Sequence, residues 1–375
     1  MKRKYFWERL AHPAVVVLLT QLILLAWVIT AAGGDPLSLA RLGTHYTAGV
    51  PLDAGGDPLE IEGYDGQFNY YIGRDPRPQV AAPYLDVPAY RYQRILLPLL
   101  GFLLSGGNEA LLAWILPVLL LLVHTLGTWA VAELMHAYGV NSWYALSYGL
   151  YAGFSLALRL DLAEPLAYAL VALALLAGVR HRLPLSWGLY ALALFARDVT
   201  LPFVVAQLLA ELFQRRWRQV AGLAIFALLP FGLFQLWLWQ VFGQPGLGSG
   251  GAMATAFEWI PYMGLWRIGL YSPLYLLAMG VVFVPAFVIP SVWGIWQAFV
   301  KWTNRDRNVL VLGLFLNALS IAVLPFSTFR ETGGLIRFAC GLVLSVLLFA
   351  ARYRQLRILR YSFFWLVLNI FLFKS

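Results

Sequence analysis

The stretch EALLAWILPVLLLLVHTLGTWAVAELMHAY, residues 109–138, decides the fold class. Its acidic residues, Glu109 and Glu133, lie near its ends. As a helix rising 1.5 Å per residue, the segment between them is long enough to cross about 30 Å of hydrocarbon. Apolar segments recur on both sides, near 13–32, 142–158, 164–179, 184–196, 199–213, 219–242, 271–300, 308–325, 335–351 and 361–373. The composition agrees: of 375 residues 61% are hydrophobic and 12% charged, about half the charged share of a soluble domain, and the mean hydropathy is +0.72. These observations exclude a soluble globular protein. They predict an all-α, polytopic transmembrane bundle of about eleven spans, with residues 1–375 forming one membrane domain. The first apolar run is longer than the hydrophobic core of a signal peptide and reads as an uncleaved helix.

Charge gives the expected orientation. The net charge is +9, but the basic residues cluster in short loops between apolar runs, which argues for membrane topology and against a nucleic-acid partner. With the amino terminus in the cytoplasm, five loops on that side hold 16 of the 27 basic residues and only Glu8, Glu133, Glu211 and Asp306 among the acids. The other 14 of 18 carboxylates then face away from the cytoplasm. Basic clusters at 180–182 and 215–218 bracket the short segments between them, so those segments are expected to form a hairpin with Arg197 and Asp198 at its outer tip. The single cysteine, Cys340, lies in an apolar run and reads as a packed thiol, with no disulfide framework and no Cys-based zinc site.

The longest polar stretch lies within residues 33–108, the expected first extracytoplasmic loop. It is too aromatic for a solvated tail, with Tyr64, Phe68, Tyr70, Tyr71, Tyr84, Tyr90 and Tyr92. From Asp65, the residues Phe68, Tyr71 and Ile72 recur at helical spacing, with Asp65 as a candidate N-cap. This predicts a short amphipathic helix on the membrane surface. A second interfacial helix is expected over Pro88–Ser105, which would put Arg91 or Arg94 at the depth of lipid phosphates.

Gly63 to Ile72, with Tyr-Asp-Gly-Gln-Phe at its centre, together with Tyr90 to Leu100, resembles the GT-C superfamily of membrane glycosyltransferases and its bacterial members in particular. The specific likeness covers roughly residues 60–200. It implies a polyprenyl-phosphate-linked sugar as donor, an extracytoplasmic glycan, lipid or protein as acceptor, and residence in the cytoplasmic membrane among its lipids. It also implies that a carboxylate of this loop serves as base or metal ligand; here that role falls to Asp65, with Glu62 as rival.

The chemistry suits the layout. A carboxylate can take the acceptor hydroxyl's proton, and arginine, which supplies 23 of the 27 basic residues, suits a leaving phosphate through its bidentate geometry. A direct displacement inverts the anomeric centre and needs no covalent intermediate. The candidate substrate contacts are Tyr64, Gln67, Arg94, Asp161, Glu164, Arg197, Arg330 and Arg337. Several have a plainer reading beside this one. Asp161 or Glu164 can cap the helix that Pro165 opens, Arg197 and Asp198 can form a snorkelling pair, and the tyrosines suit an interfacial belt. Arg337, in the first turns of a helix, is disfavoured by the helix dipole unless an anion lies beside it. No cofactor is required. Magnesium or manganese on Asp57, Glu60, Glu62 and Asp65 remains compatible, while the five histidines lack metal-ligand spacing. The rival reading is a transporter or flippase for a lipid-linked or anionic envelope precursor, which would place ionisable groups near mid-membrane. A non-catalytic envelope scaffold would pair its outer charges locally and enclose no cavity.

Overall fold

The computed structural model describes residues 12–43 and 63–373. Among them every regular element is helical, the main ones being α1 (Pro13–Ala31), α2 (Gly66–Arg74), α3 (Pro88–Tyr92), α4 (Leu96–Ser105), α5 (Glu109–Ala137), α6 (Ala152–Arg159), α7 (Glu164–Val179), α8 (Leu183–Ala196), α9 (Leu201–Phe213), α10 (Trp217–Phe242), α11 (Met263–Tyr271), α12 (Pro273–Thr303), α13 (Val309–Ala322), α14 (Thr332–Arg352) and α15 (Leu356–Tyr361), joined by turns, short helical segments and a longer loop over residues 243–262. Five of these, α1, α5, α10, α12 and α14, are long and apolar enough to cross a membrane. The most apolar stretch of α14 is 89% buried, against 22% in α1 and α10. α14 is therefore the central post, and the other two present leucine, isoleucine and tryptophan outward, as helices solvated by lipid do.

The continuous apolar run at 142–158 is not one helix. It breaks at Tyr151, whose extended backbone (ψ 131°) precedes α6. The carbonyls freed there are satisfied from a distance: Gly149 O accepts Gln21 Nε2 (3.3 Å) and His124 Nε2 (2.8 Å), and Leu150 O accepts Asn369 Nδ2 (2.9 Å). Such partners are what an unwound segment needs inside an apolar bundle. The run at 361–373 likewise departs from the α form, since Ser362–Phe373 winds as a tighter 3₁₀ helix.

The chain sorts its polar groups to two ends. α5, α7 and α14 run from one end to the other, and α8 returns. At their finish Arg180 pairs with Glu133, Arg354 Nε reaches Tyr138 O (3.4 Å), and Tyr353 Oη donates to Asp306 (2.6 Å). This is the basic end. At their start lie Asp65, Glu164 and Arg337, the opposite end.

Candidate functional site

Gly66 sets the position of α2. A Cβ there would lie 2.1 Å from Leu160 O, so only glycine allows this helix start to press against the turn before α7. Asn69 Nδ2 donates to Asp161 O (2.8 Å) across the same contact. The helix forms where Phe68, Tyr71 and Ile72 predict it, but it does not lie on a surface: Gln67, Tyr70 and Gly73 are buried as well, and α2 packs on α4 and α5. Asp65 occupies the N-cap position without capping. Its carboxylate turns instead to two arginines, Arg91 Nη1 at 2.9 Å and Arg337 Nη1 at 3.3 Å.

The expected helix over Pro88–Ser105 is divided by a turn at Gln93 to Ile95, which leaves Arg91 and Arg94 beside the site. Arg91 is held by a fork: Nε and Nη2 each donate to Asp86 at 2.7 Å. Its guanidinium also lies 4.0 Å from the Phe68 ring centroid. Asp86 in turn accepts from the backbone of Val87 (2.7 Å) and Ala252 (3.1 Å), which ties the loop after α10 to the site. Arg94 stacks on Tyr90 at 4.2 Å, with its Nε 3.5 Å from Asp198.

Neither Asp161 nor Glu164 caps α7, whose N-cap residue is Ala163. Glu164, fully buried, meets Arg197 Nη1 at 2.5 Å and Arg337 Nη1 at 3.5 Å. Arg337 thus bridges Asp65 and Glu164, with Glu331 at 3.9 Å and the Tyr64 ring at 5.1 Å. Tyr64 Oη donates to Glu331. Four guanidiniums therefore interleave with Asp65, Asp86, Glu164 and Asp198. Between them lies a cleft lined by Asp65, Phe68, Asn69, Arg91, Arg94, Leu162, Ala163 and Arg197; at about 20 Å³ it has room for a water molecule or two. The buried Nε groups of Arg94, Arg197 and Arg337 and Glu164 Oε2 have no hydrogen-bond partner, an uncommon state for buried polar atoms.

Burial alone would raise the Asp65 carboxyl, but Arg91, Arg337, Arg94 and Arg197 outweigh it and hold that group well below the usual carboxylate range. Asp86 is also lowered: burial opposes its ionisation, and the Arg91 fork overcomes that. Asp161 has no such partner. It is buried in a left-handed backbone conformation (φ 49°), its Oδ1 is unpartnered, and desolvation pushes its carboxyl well upward.

No family model, curated protein or solved structure matches the chain. The geometry therefore stands on its own. It brings together Asp65, Tyr64, Arg94, Glu164, Arg197 and Arg337. Asp161 borders the cluster through its backbone. Gln67 is buried with its side-chain oxygen accepting from Gly43 N (3.0 Å), outside the cleft lining, and Arg330 is exposed outside the cluster. Glu62, Asp57 and Glu60 lie outside the described residues, and no set of three metal-binding side chains occurs among the described ones. Asp86 is not among the site residues expected from the sequence, and Arg91 is expected there only as the alternative to Arg94. Arg91 and Arg94 lie three apart, a spacing that puts both on one side of a helical turn, whereas the five residues from Asp86 to Arg91 give no such signal.

Proposed function

We propose that the chain is a membrane glycosyltransferase that moves a sugar from a polyprenyl-phosphate donor to an acceptor outside the cytoplasm, with inversion. The observation that carries this reading is Asp65 held between Arg91 and Arg337 beside a cleft lined by Arg94 and Arg197. A base and several cations meet there at one end of an apolar bundle, as a lipid-phosphate donor requires. The likeness of residues 63–72 to GT-C enzymes adds to it. In this reading the bundle has about eleven spans, the amino terminus is cytoplasmic and the Asp65 end faces away from the cytoplasm.

The acceptor oxygen attacks the anomeric carbon, the bond from that carbon to the phosphate oxygen breaks, and the electron pair leaves with polyprenyl phosphate. The acceptor proton passes to Asp65. Arginines stabilise the charge gathering on the leaving phosphate. The cleft is too small for a sugar, so the donor must part some of these side chains on entry.

The test is sugar transfer in vesicles holding the purified chain, with labelled polyprenyl-phosphate sugars supplied to each leaflet. Release of polyprenyl phosphate with a labelled product supports the reading. Movement of intact donor across the bilayer, with no release, overturns it in favour of a flippase.

A further inference from the structure

Among the described residues, the basic end holds more positive charge than its carboxylates balance. Two basic residues follow α7, three follow α9, Arg305 and Arg307 lie in the α12–α13 turn after Lys301 near the end of α12, and Arg354, Arg357 and Arg360 follow Arg352, the last residue of α14. The carboxylates there are already engaged: Glu133 with Arg180, Glu211 with Arg216 at 3.6 Å, and Asp306 with Tyr353 Oη (2.6 Å) and Asn308 Nδ2 (2.7 Å). Arg305 and Arg307, on either side of Asp306, have no carboxylate within 4.0 Å among the described residues. At the opposite end Arg91, Arg94, Arg197 and Arg337 all have one.

Arg305 and Arg307 share a recess of about 570 Å³ with Phe213, Gln214, Asp306 and Asn308. Arg307 is fixed in place. Its guanidinium lies 4.3 Å from the Trp302 ring centroid and 5.1 Å from that of Phe213, and its Nε is buried without a hydrogen-bond partner. Arg305 is exposed. The helices leading to the recess present apolar side chains outward: Leu212 and Phe213 on α9, and Trp296 and Phe299 on α12.

We propose that this recess binds the phosphodiester headgroup of an anionic phospholipid, with Arg305 and Arg307 on the phosphate and the acyl chains along Leu212, Trp296 and Phe299. A preordered cation and a free one facing the same space suit a phosphate; the Asp306 carboxylate that shares the recess is taken up by Tyr353 Oη and Asn308 Nδ2, and the two arginines leave the recess a net positive charge. The exposed apolar flanks favour a lipid over a soluble anion, and basic pockets between membrane helices are the usual form of such sites. The assignment is independent of the Asp65 cluster, which lies at the other end of the bundle.

The experiment titrates the purified full chain in neutral detergent with phosphatidylglycerol, reading the fraction that retains one lipid by native mass spectrometry. Arg305→Gln should weaken retention about fivefold and Arg305→Gln with Arg307→Gln about twentyfold or more. Phosphatidylcholine should bind no better than the double variant binds phosphatidylglycerol, and sn-glycerol 3-phosphate should not compete. Because Arg305 is exposed, its single variant keeps the test valid if the double variant misfolds. Equal weakening by Arg357→Gln with Arg360→Gln would overturn the site in favour of a diffuse basic surface. Competition by glycerol phosphate would make it a soluble-anion site and overturn the lipid assignment, and unchanged retention in Arg305→Gln would remove the site altogether.

Discussion

Asp65→Asn and Glu164→Gln remove the same charge from two carboxylates that share Arg337, and they should fail in opposite ways. Glu164 is fully buried, and Arg197, 2.5 Å away, has a side chain only 9% exposed. Without its charge Arg197 and Arg337 are left facing each other in a desolvated site. Removing one partner of a buried ion pair costs about 3–5 kcal/mol. Asp65 is different. Its side chain is 30% exposed, so water screens part of its interaction. Arg91 keeps the Asp86 fork, and Arg337 keeps Glu164 and Glu331. The stability cost of Asp65→Asn should therefore be about 1 kcal/mol. Its cost to transfer should be far larger, about 100-fold to 10,000-fold for a positioned general base.

The assay pairs thermal unfolding in detergent with transfer from a polyprenyl-phosphate sugar in vesicles. The Glu164→Gln midpoint should fall at least three times as far as that of Asp65→Asn, while Asp65→Asn loses transfer at an almost unchanged midpoint. If the two midpoints fall equally, Asp65 is a structural counterion. If Asp65→Asn keeps more than a tenth of wild-type transfer, Asp65 is not the base, whatever its stability.

Three further outcomes follow from the same contacts. Asp65 and Asp86 titrate lower in the fold than in the unfolded chain, so their contribution is complete above the ordinary carboxyl range and is lost as pH falls below about 4; the unfolding midpoint should drop there, less steeply in Asp65→Asn. Asp161 has the opposite sign: its carboxyl is raised, so its contribution is greatest below the ordinary carboxyl range and declines as pH rises through it, and Asp161→Asn should raise the midpoint at pH 7.5 and leave it nearly unchanged at pH 4. Gly66→Ala should lower the midpoint by the equivalent of about 1–3 kcal/mol, because the added carbon meets the Leu160 carbonyl, a backbone atom that cannot turn aside; an unchanged midpoint would show that α2 does not dock on that turn.

The helical bundle and the helix at Phe68, Tyr71 and Ile72 were legible because hydrophobic spacing is a local property of the chain. The break at Tyr151 was not. The residues there, Gly149, Leu150 and Tyr151, are as apolar as their neighbours, and what stabilises the unwound carbonyls comes from Gln21, His124 and Asn369, remote in sequence. The site shows the same division. That Asp65, Arg197 and Arg337 sit at helix ends could be read from charge against apolar runs. That Asp65 abandons its own helix terminus could not, because capping is a contest between local amides and distant guanidiniums. Nor could sequence choose Arg91 over Arg94: the choice is made by the Asp86 fork and the Phe68 ring, which aim one guanidinium at Asp65 and leave the other over Tyr90.

The contacts also rank the arginines by how readily each could take a phosphate. Arg91 is forked on Asp86 at 2.7 Å, and Arg197 lies 2.5 Å from Glu164. Arg337 spreads over three carboxylates at 3.3, 3.5 and 3.9 Å, longer than a strong charge-assisted hydrogen bond. Of the three arginines that meet Asp65 or Glu164, Arg337 is therefore the one an arriving phosphate can claim at least cost; Arg94, which lines the cleft and meets only Asp198 among the described carboxylates, at 3.5 Å, is freer still but makes no ion pair with Asp65. In the proposed reaction this has a consequence for the base. A carboxyl held well below its usual range accepts protons poorly, and a general base works best when its pKa lies nearer the operating pH. Drawing Arg337 onto the donor phosphate removes one of the charges that depress Asp65 and makes it a better proton acceptor only once the donor is present. Arg337→Lys tests this ordering, since a lysine keeps the charge but offers no fork to the phosphate. The acid limb of kcat should move to lower pH in that variant, and a limb that stays where it is in the wild type would show that Asp65 gains nothing from the exchange.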